Sequence, residues 1–395
     1  MIRDIREKFN EGFSEEKYAA FLESLLAFDT PPLFRIVETP VFVDELLKGR
    51  LIEATEQIVD LLVSPGFMEK SALGVPKDLS VPNETAHPDF LAIDFAVCVD
   101  EKGDYMPQLI ELQGFPSLFC FLDVLAEKYK TIFEIEGNWT HYFPDINREE
   151  YYDFLREIIV GEHNAKNVIL LEVEPEKQKT QIDFLFTEQK LGVKTVCLSK
   201  VKSEGKKLYY EVDGKQIPIH RIYNRLIFED IHQHADFLKD AIDIREGFEV
   251  EWVSHPNWFF RISKHTLPAL KTPYVPDTNF LDKDNVPEDL SQYVLKPLFS
   301  FSGQGVIMDV TQEAIDAVED PSNYILQKKI EYVPVIDSPH GKIKCEIRML
   351  YAWKKGEERP TLLTNLARMS QGMIGVSHNK ASSWSGGTVA FFRGT

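Results

Sequence analysis

Two short β-like segments joined by a polar turn constrain the fold of this chain more than any other feature. They read Phe90-Leu-Ala-Ile-Asp-Phe-Ala-Val97 and Met106-Pro-Gln-Leu-Ile-Glu-Leu-Gln113. Residues 100–104 between them have turn composition, which predicts a hairpin. With residue 99 opposite residue 106, Asp94 would pair with Glu111.

Two carboxylates that face each other on a sheet repel unless positive charge lies between them. A bound cation is the simplest source of that charge. Glu111 and Gln113 share one face of their strand, because alternate residues point the same way. The hairpin alone leaves an alternative open, in which Asp94 and Glu111 are solvated residues on its wet face, since acidic side chains are mostly exposed.

Composition indicates a globular protein with more than one domain. The 395 residues are 44% hydrophobic, enough for two or three cores. The net charge of −19 disfavours nucleic acid and anionic membranes as partners, so an anionic substrate would need a basic pocket or a metal. No apolar run approaches the length of a membrane span. The four scattered cysteines predict reduced core residues of a cytoplasmic protein, with no disulfide framework or zinc site.

The texture of the sequence changes along the chain and predicts four regions. Residues 1–87 have the apolar spacing of amphipathic helices, over 2–27 with a break near Gly12 and over 40–62. Residues 88–160 hold the hairpin, a helix starting at Ser117 and a helix over 147–160. Residues 161–255 alternate strands and a helix in a Rossmann-like pattern, with a hairpin over 207–219. That region lacks GxGxxG and is therefore not interpreted as dinucleotide-binding. Residues 256–395 form a further α+β region.

The last region carries residues suited to phosphate. Lys264 opens a helix, and Lys296 ends the strand-like segment 293–297 just before Ser302-Gly-Gln-Gly-Val306. Glycines let a backbone approach phosphate oxygens closely, and successive N–H groups of such a loop bind anions. A lysine adds a point charge for the same oxygens. Neither feature is decisive by itself.

Further polar residues follow on predicted strands. Residues 324–331 form a strand running into a polar turn, whose backbone could bind the edge of an adenine. Glu346 and Arg348 share a strand face, and Arg368 lies on the next strand. Surface salt bridging is the simpler interpretation of each arginine taken alone. His378, Asn379 and Trp384 could shape a substrate pocket or pack in the core.

The ordered set of Lys264, Val294-Leu-Lys296-Pro, Ser302-Gly-Gln-Gly-Val306, Ile325-Leu-Gln327, Glu346-Ile-Arg348, Ala367-Arg368 and Gly386-Gly387 resembles the ATP-grasp ligases. In that family the acidic strands usually follow the glycine pair, whereas here they precede the lysines. The order is similar to that of circularly permuted ATP-grasp proteins such as the glutathionylspermidine synthetase-like group. The resemblance implies an α/β (α+β) fold in which 88–160 and 256–395 are the two halves of the ATP-grasp domain. Residues 161–255 would then be the pre-ATP-grasp domain.

The resemblance also implies roles for individual residues. Those expected to bind ATP are Lys264 and Lys296 on the phosphates, Gly303, Gln304 and Gly305 over them, and Gln327, Lys328 and Lys329 near the adenine. Asp94, Glu111 and Gln113 would bind magnesium, although the family usually has Asn where this chain has Gln113. Arg348 and Arg368 would hold phosphate or the substrate carboxylate.

These roles imply an ATP- and magnesium-dependent ligase that joins a small acid, amino acid or peptide to an amine or thiol through an acylphosphate. No serine elbow, cysteine nucleophile or zinc motif suggests other chemistry. Two alternatives stay open: a nucleotide-binding or degenerate ATP-grasp protein without turnover, and a phosphotransferase on the same fold. The sequence predicts neither the substrate pair nor the oligomeric state.

Overall fold

The structure is a computed structural model that describes residues 2–299, 305–339, 341–372 and 384–394. The helices are α1 (Arg3–Glu11), α2 (Glu15–Glu23), α3 (Glu45–Leu62), α4 (Phe67–Ser71), α5 (Phe119–Ile132), α6 (Arg148–Ile159), α7 (Gln181–Leu191), α8 (Phe228–Gln233), α9 (Trp258–Arg261) and α10 (Gln312–Asp316). The strands are β1 (Val41–Phe42), β2 (Phe90–Val99), β3 (Tyr105–Gln113), β4 (Trp139–Thr140), β5 (Val168–Glu172), β6 (Lys194–Cys197), β7 (Lys202–Glu204), β8 (Lys207–Val212), β9 (Lys215–Ile219), β10 (Arg221–Asn224), β11 (Glu251–Val253), β12 (Thr278–Phe280), β13 (Tyr293–Pro297), β14 (Tyr324–Lys328), β15 (Ile336–Ser338), β16 (Gly341–Ala352), β17 (Thr361–Ser370), β18 (Ser385–Thr388) and β19 (Ala390–Arg393).

The predicted acidic hairpin is present, and Asp94 pairs with Glu111 as expected. The register shifts beyond this pair, so that Phe95 lies opposite Leu109 and Val99 lies opposite Tyr105. The expected pairing of residue 99 with residue 106 is therefore wrong by one residue. A β-bulge explains the difference, because it places one extra residue of β3 against β2.

The central sheet joins this hairpin to the end of the chain. Its strands follow the order β18-β17-β16-β2-β3, with β15 also paired to β16, and all of these pairs are antiparallel. Strand β16 lies beside β2 with Arg348 opposite Asp94. Segments more than 200 residues apart in sequence therefore share one sheet.

The two faces of the central sheet differ in polarity. Ile93, Phe95 and Ile347 point to one face and pack in a hydrophobic core with α3. The other face begins apolar at Phe90 and Leu350, which belong to the core around α5. Further along the same strands that face carries charged side chains, since alternate residues share a face. On the face that carries Phe90 and Leu350, the apolar residues therefore give way to charged ones at Asp94 and Arg348.

Side-chain N-caps mark the start of α2, α3, α6 and α10. Asn147 caps α6 with a full capping box, in which Glu150 returns a bond to the backbone of Asn147. Helix α5 starts at Phe119 with Leu118 as N-cap, so Ser117 does not cap it as expected. The Ser117 hydroxyl instead lies 3.3 Å from Arg348 Nη1.

Residues 161–255 contain the expected parallel sheet, in the order β11-β10-β5-β6. The hairpin of β8 and β9 turns at Asp213 and Gly214, whose φ angles of 49° and 74° suit a tight hairpin turn. The chain leaves β5 through α7 towards β6, while β10 lies on the other side of β5, next to β11. The carboxyl ends of β5 and β10 therefore flank a point where the strand order reverses.

The remaining strands form smaller sheets. Strands β12, β14 and β13 pair antiparallel, with β14 in the middle, over a core that includes Leu295 and Leu326. Strand β19 lies between β1 and β4. Gly387 on β18 packs against Phe34, whose ring would come within 3.0 Å of an added Cβ. None of the helices in the described ranges has the length and apolarity needed to cross a membrane.

Candidate functional site

A cavity of about 430 Å³ lies where the central sheet and the β12-β14-β13 sheet meet the segments that follow the carboxyl ends of β5 and β10. The polar residues on its wall are Glu111, Gln113, Ser117, Thr180, Arg225, Lys264, Lys296, Gln327, Lys328, Tyr332, Glu346, Arg348 and Arg368. Of the other described residues assigned roles above, Asp94, Gly305 and Lys329 do not line it. The fold thus brings together both predicted lysines, both arginines and two of the three residues expected to bind magnesium.

Asp94 is buried beneath this cavity and is held by two arginines. Arg348 Nε donates to its Oδ1 at 2.5 Å, and Arg348 Nη2 donates to its Oδ2 at 2.7 Å. Arg368 Nη2 donates to the same Oδ2. Burial alone would raise the pKa of Asp94, but the two guanidiniums outweigh it and lower that pKa. The positive charge required near Asp94 is therefore present on the protein, and the solvated-hairpin alternative does not describe Asp94, which is 2% exposed.

A second carboxylate, Glu346, completes this ionic network. Its Oε2 lies 3.0 Å from Arg368 Nη2, and the Tyr332 hydroxyl donates to its Oε1 at 2.6 Å. Burial raises the pKa of Glu346, and the Arg368 guanidinium only partly offsets this. Burial would lower the pKa of Arg368, but Glu346 and Asp94 outweigh it and raise that pKa. Both arginines thus belong to a largely buried network in the cavity wall, not to open-surface salt bridges.

Glu111 and Gln113 point into the cavity from β3, and Gln113 Nε2 donates to Glu111 Oε1. Magnesium is commonly held by one or two carboxylates together with phosphate oxygens and water. Glu111 can supply a carboxylate oxygen, and Gln113 keeps its carbonyl oxygen as a neutral ligand. This pair fits magnesium when phosphate is present. Without it the donors are few, and the described residues contain no cluster of three or more His, Cys, Asp or Glu side chains able to hold a metal ion.

Lys264 and Lys296 also line the cavity and together form its lysine wall. Lys264 begins a 3₁₀ helix, Lys264–Ala269, that Ser263 caps, and it is 6% exposed. Burial lowers the pKa of Lys264, against the opposing effect of Glu111. Lys296 extends from β13, and burial lowers its pKa to about 8, with Glu111 opposing this and Lys264 adding to it. For both lysines the effect of burial on the pKa outweighs that of Glu111.

Gln327 is the direct partner of Lys296. Lys296 Nζ donates to Gln327 Oε1 at 2.6 Å and lies 3.5 Å from the Ile110 carbonyl oxygen. Gln327 is fully buried, and its Nε2 donates to Thr278 Oγ1 at 3.0 Å. Both ends of its carboxamide are therefore committed within the protein. The Gln327 side chain, expected near adenine, orients Lys296 in this structure.

The backbone after Gln327 is also partly engaged. The amide N–H groups of Lys328 and Lys329 donate to the carbonyl oxygens of Asp277 and Gln292, at 2.8 and 2.7 Å. Lys329 Nζ is turned towards Asp309, at 3.9 Å. The Lys328 and Ile330 side chains line the cavity. An adenine bound in this segment would therefore have to use groups other than those two amides.

The glycine loop is described only at its end. Gly303 and Gln304 lie outside the described residues, as do His378 and Asn379. Gly305 has a φ of +68°, and an added Cβ would lie 3.1 Å from Pro297 Cγ. The chain then returns to β13 through a bridge between Ile307 and Leu295. Glycine at position 305 is thus explained by a left-handed turn close to Pro297.

Arg225 is a cavity residue that the sequence reasoning missed. It is 6% exposed, donates to the Pro116 carbonyl oxygen, and lies 3.4 Å from Thr180 Oγ1. Within the described ranges no carboxylate lies within ion-pair distance of it, and its Nε has no hydrogen-bond partner. It follows β10 at the point where the strand order reverses, which is where open parallel sheets bind ligands. That rule, applied to the end of the predicted strand near residue 225, is the signal that could have found it.

Comparison with known proteins supports the fold. No family model matches the chain, and no curated protein matches it in sequence. Its structure is similar to that of a glutathione synthetase-like effector (GSS30) from Globodera pallida in the apo form, with a TM-score of 0.58. The alignment covers 95% of this chain and 96% of that chain, at 9% sequence identity. The likeness shows a shared mixed α/β fold.

Proposed function

We propose that the chain is an ATP- and magnesium-dependent ligase that joins a small carboxylate to an amine or thiol through an acylphosphate. One observation carries the proposal: Lys264, Lys296, Arg348 and Arg368 converge on a single cavity that Glu111 and Gln113 also line. The whole chain has a net charge of −19, so this concentration of cations is local. Such a cluster of positive charge suits a polyanion such as a nucleoside triphosphate.

In this proposal the lysine wall binds the phosphates. Lys264 and Lys296 neutralise charge on the transferring phosphoryl group, and the glycine loop 303–305 covers it. Catalysis of this kind depends mainly on positioning and electrostatic stabilisation. The segment Gln327–Lys329 lies near the adenine, and Gln327 keeps Lys296 aimed at the phosphates through its 2.6 Å hydrogen bond.

Glu111 and Gln113 would hold the magnesium ion. When bound, the ion neutralises phosphate oxygens and favours transfer of the γ-phosphoryl group to the substrate carboxylate. Asp94 lies below this pair, with its oxygens occupied by Arg348 and Arg368.

The substrate acid would lie between the arginine network and Arg225. Arg225 is a buried cation with no carboxylate within ion-pair distance in the described ranges, and Asp183 and Glu172 compensate its charge only at longer range. An anionic ligand would give it a direct ion-pair partner. Phe115, Ile227 and Phe259 supply apolar surface to the same part of the cavity. An acid with an anionic group on Arg225 could present its reacting carboxylate to Arg348 and the phosphates. The apolar side chains would exclude water, which would otherwise hydrolyse an acylphosphate.

The proposal includes a circularly permuted ATP-grasp core. In support of it, the hairpin of β2 and β3 comes early in the chain, yet β2 pairs with β16 of the last region. Residues 88–160 and 256–395 would be the two halves of the core, with 161–255 as the pre-ATP-grasp domain and 1–87 as an N-terminal helical region. Joining distant segments in one sheet is compatible with permutation, because chain termini at a surface can be relocated at little cost.

Release of ADP in the presence of amino acids, small peptides and amines, with and without magnesium, tests the proposal. We expect at least one pair of an acid and an amine or thiol to stimulate release well above background. If ATP binds but no such pair stimulates release, the ligase assignment fails. Stimulation by a single phosphate acceptor without a second substrate would instead indicate a phosphotransferase.

The variant Glu111→Gln tests the metal half of the site. We expect magnesium-dependent ATP binding to weaken at least about tenfold, because the carboxylate charge next to the phosphates is lost. Isothermal titration with and without magnesium measures the change, and circular dichroism checks the fold. Glu101→Gln, in the exposed turn of the same hairpin, is the matched control. Unchanged magnesium dependence in Glu111→Gln would remove Glu111 from the metal site.

A nucleotide-binding protein without turnover is the second candidate. The hydrogen bond from Gln113 to Glu111 favours it, because that bond competes with a metal for the Glu111 carboxylate. Retention of both lysines and both arginines in the cavity favours the ligase. ATP binding without stimulated ADP release across the substrate panel would support this second candidate.

A further inference from the structure

We propose that Asp94 is a positioning residue that fixes Arg348 and Arg368 as one oxyanion-binding pair, and that it does not coordinate magnesium. The pair would take a carboxylate or a phosphoryl oxygen, and the choice between these rests on the proposed function. The positioning role of Asp94 stands on the contacts alone.

The contacts of Asp94 leave it little capacity for a metal. A carboxylate offers about four lone-pair sites. Three N–H bonds from the two arginines already use both oxygens. The Asp94 side chain is 3% exposed and does not line the cavity, whereas Glu111 does. A magnesium ion at Asp94 would have to displace at least one guanidinium from a buried ion pair.

The arrangement of strands explains how one carboxylate can hold both arginines. Arg348 lies directly opposite Asp94 on the neighbouring strand, and Arg368 comes from the strand beyond it. Two guanidiniums that repel each other are thereby drawn to a shared anion. Bidentate contact fixes the plane of Arg348, which a simple point charge would not do.

Donor groups remain for a ligand on the cavity side. Arg348 Nη1 lies 3.3 Å from Ser117 Oγ, and both residues line the cavity. Arg368 also lines the cavity, and its side chain is 33% exposed. An oxyanion at this wall would meet donors already set in direction, which reduces the ordering that binding requires.

Chemical rescue tests this role without any nucleotide. In Asp94→Ala the two arginines lose their shared anion and a carboxylate-sized space opens between them. We expect the variant to melt lower than wild type, and about 0.1 M sodium formate to raise its melting temperature by about 2 °C or more beyond the same concentration of sodium chloride. Asp89→Ala is the matched control, since Asp89 is a buried aspartate whose Oδ2 has no hydrogen-bond partner in the described part of the chain.

Two outcomes of the rescue experiment would overturn the proposal. One is a formate effect no larger than that of chloride in Asp94→Ala. The other is an equal formate effect in Asp89→Ala, because the rescue would then be nonspecific. The nucleotide plays no part here, so a protein that fails to bind ATP would refute the proposed function without touching this result.

Metal binding is tested separately in Asp94→Asn, which keeps the shape of the side chain and serves if the alanine variant does not fold. Binding of Mn²⁺ in the presence of ATP is followed by electron paramagnetic resonance. We expect Mn²⁺ affinity within about twofold of wild type for Asp94→Asn and at least about tenfold weaker for Glu111→Gln. A loss in Asp94→Asn as large as that in Glu111→Gln would show that Asp94 is a metal ligand.

Discussion

The lysine wall (Lys264 and Lys296) and the arginine wall (Arg348 and Arg368) of the cavity differ in how the protein compensates their positive charges. On the lysine wall, Lys296 donates to the neutral oxygens of Gln327 and Ile110, and burial lowers its pKa to about 8. On the arginine wall, Arg368 contacts Asp94 and Glu346, whose charges overcome the effect of burial and raise its pKa. Burial therefore disfavours the positive charge of Lys296 on the lysine wall, whereas the carboxylates of Glu346 and Asp94 stabilise the positive charge of Arg368 on the arginine wall.

This difference indicates a division of labour. A lysine whose charged form is disfavoured by burial is stabilised most when a phosphate binds, because the nearby negative charge raises its pKa again. An arginine that is already paired gains less, but its donors are fixed in direction. We infer that the lysine wall supplies attraction for the polyanion and the arginine wall supplies orientation for the substrate.

The largest expected effect is a contrast in stability between the two walls. Arg348→Met leaves Asp94 buried with a single guanidinium, and breaking a buried ion pair in this way costs about 3 kcal/mol. Lys296→Met removes a charge that burial disfavours, so we expect the free energy of unfolding to stay within about 1 kcal/mol of wild type or to rise. Urea denaturation followed by circular dichroism measures both.

A surface arginine provides the control for this contrast. Arg359 pairs with Glu56 and Asp60, and its side chain is 42% exposed. We expect Arg359→Met to cost less than about 1 kcal/mol, as exposed ion pairs usually do. Equal losses in Arg348→Met and Lys296→Met would show that the two walls do not differ in the way described.

A smaller effect is expected from Gln327→Leu, which removes the acceptor that orients Lys296. We expect MgATP to bind about tenfold more weakly, since a hydrogen bond to a charged group contributes about 1.5 kcal/mol. Gln312→Leu, on the exposed side of α10, is the matched control. Titration with MgATP and MgGTP distinguishes the roles of Gln327: a positioning role weakens both nucleotides alike, whereas direct adenine contact would change their ratio.

Local pattern predicted the elements that place the site, but not how its charges are partnered. Alternation and turn composition gave the acidic hairpin with Asp94 opposite Glu111, and the apolar strand pattern gave the parallel sheet. The hairpin sequence predicts a bound cation as the countercharge of Asp94, whereas two arginine side chains from strands about 250 to 270 residues later supply it. Partners that distant in sequence depend on the tertiary pairing of β16 with β2, which no local periodicity encodes.

Arg225 and Gln327 illustrate the same limit from two directions. Arg225 has no motif around it, and its burial in the cavity wall after β10 is a property of the folded chain. Gln327 was placed at the adenine through resemblance, and its buried bonds to Lys296 and Thr278 appear only once β12, β13 and β14 pair. The register shift beyond Asp94 was likewise invisible, because a bulge adds one residue without altering the composition of the strand.

The smallest expected effect is the pH dependence of the lysine wall. Because the pKa of Lys296 is about 8, the charged fraction of this lysine falls about fourfold between pH 7 and pH 8.5, and ATP affinity should weaken by up to about that factor. Stability should respond with the opposite sign. Burial lowers the folded-state pKa below the unfolded one, so the cost of protonating Lys296 is fully present below about pH 8 and is relieved as pH rises towards the unfolded pKa.

Two variants separate this contribution from other titrating groups. Lys296→Arg keeps its charge throughout the range, so its ATP affinity should not weaken between pH 7 and pH 8.5 as that of wild type does. Lys296→Met should lack the rise in stability that wild type shows above about pH 8, so the difference between their unfolding free energies isolates Lys296. The same weakening in Lys296→Arg would assign the pH dependence to another group. That result would also show that the pKa of Lys296 is not lowered as described, and the contrast between the two walls would then fail.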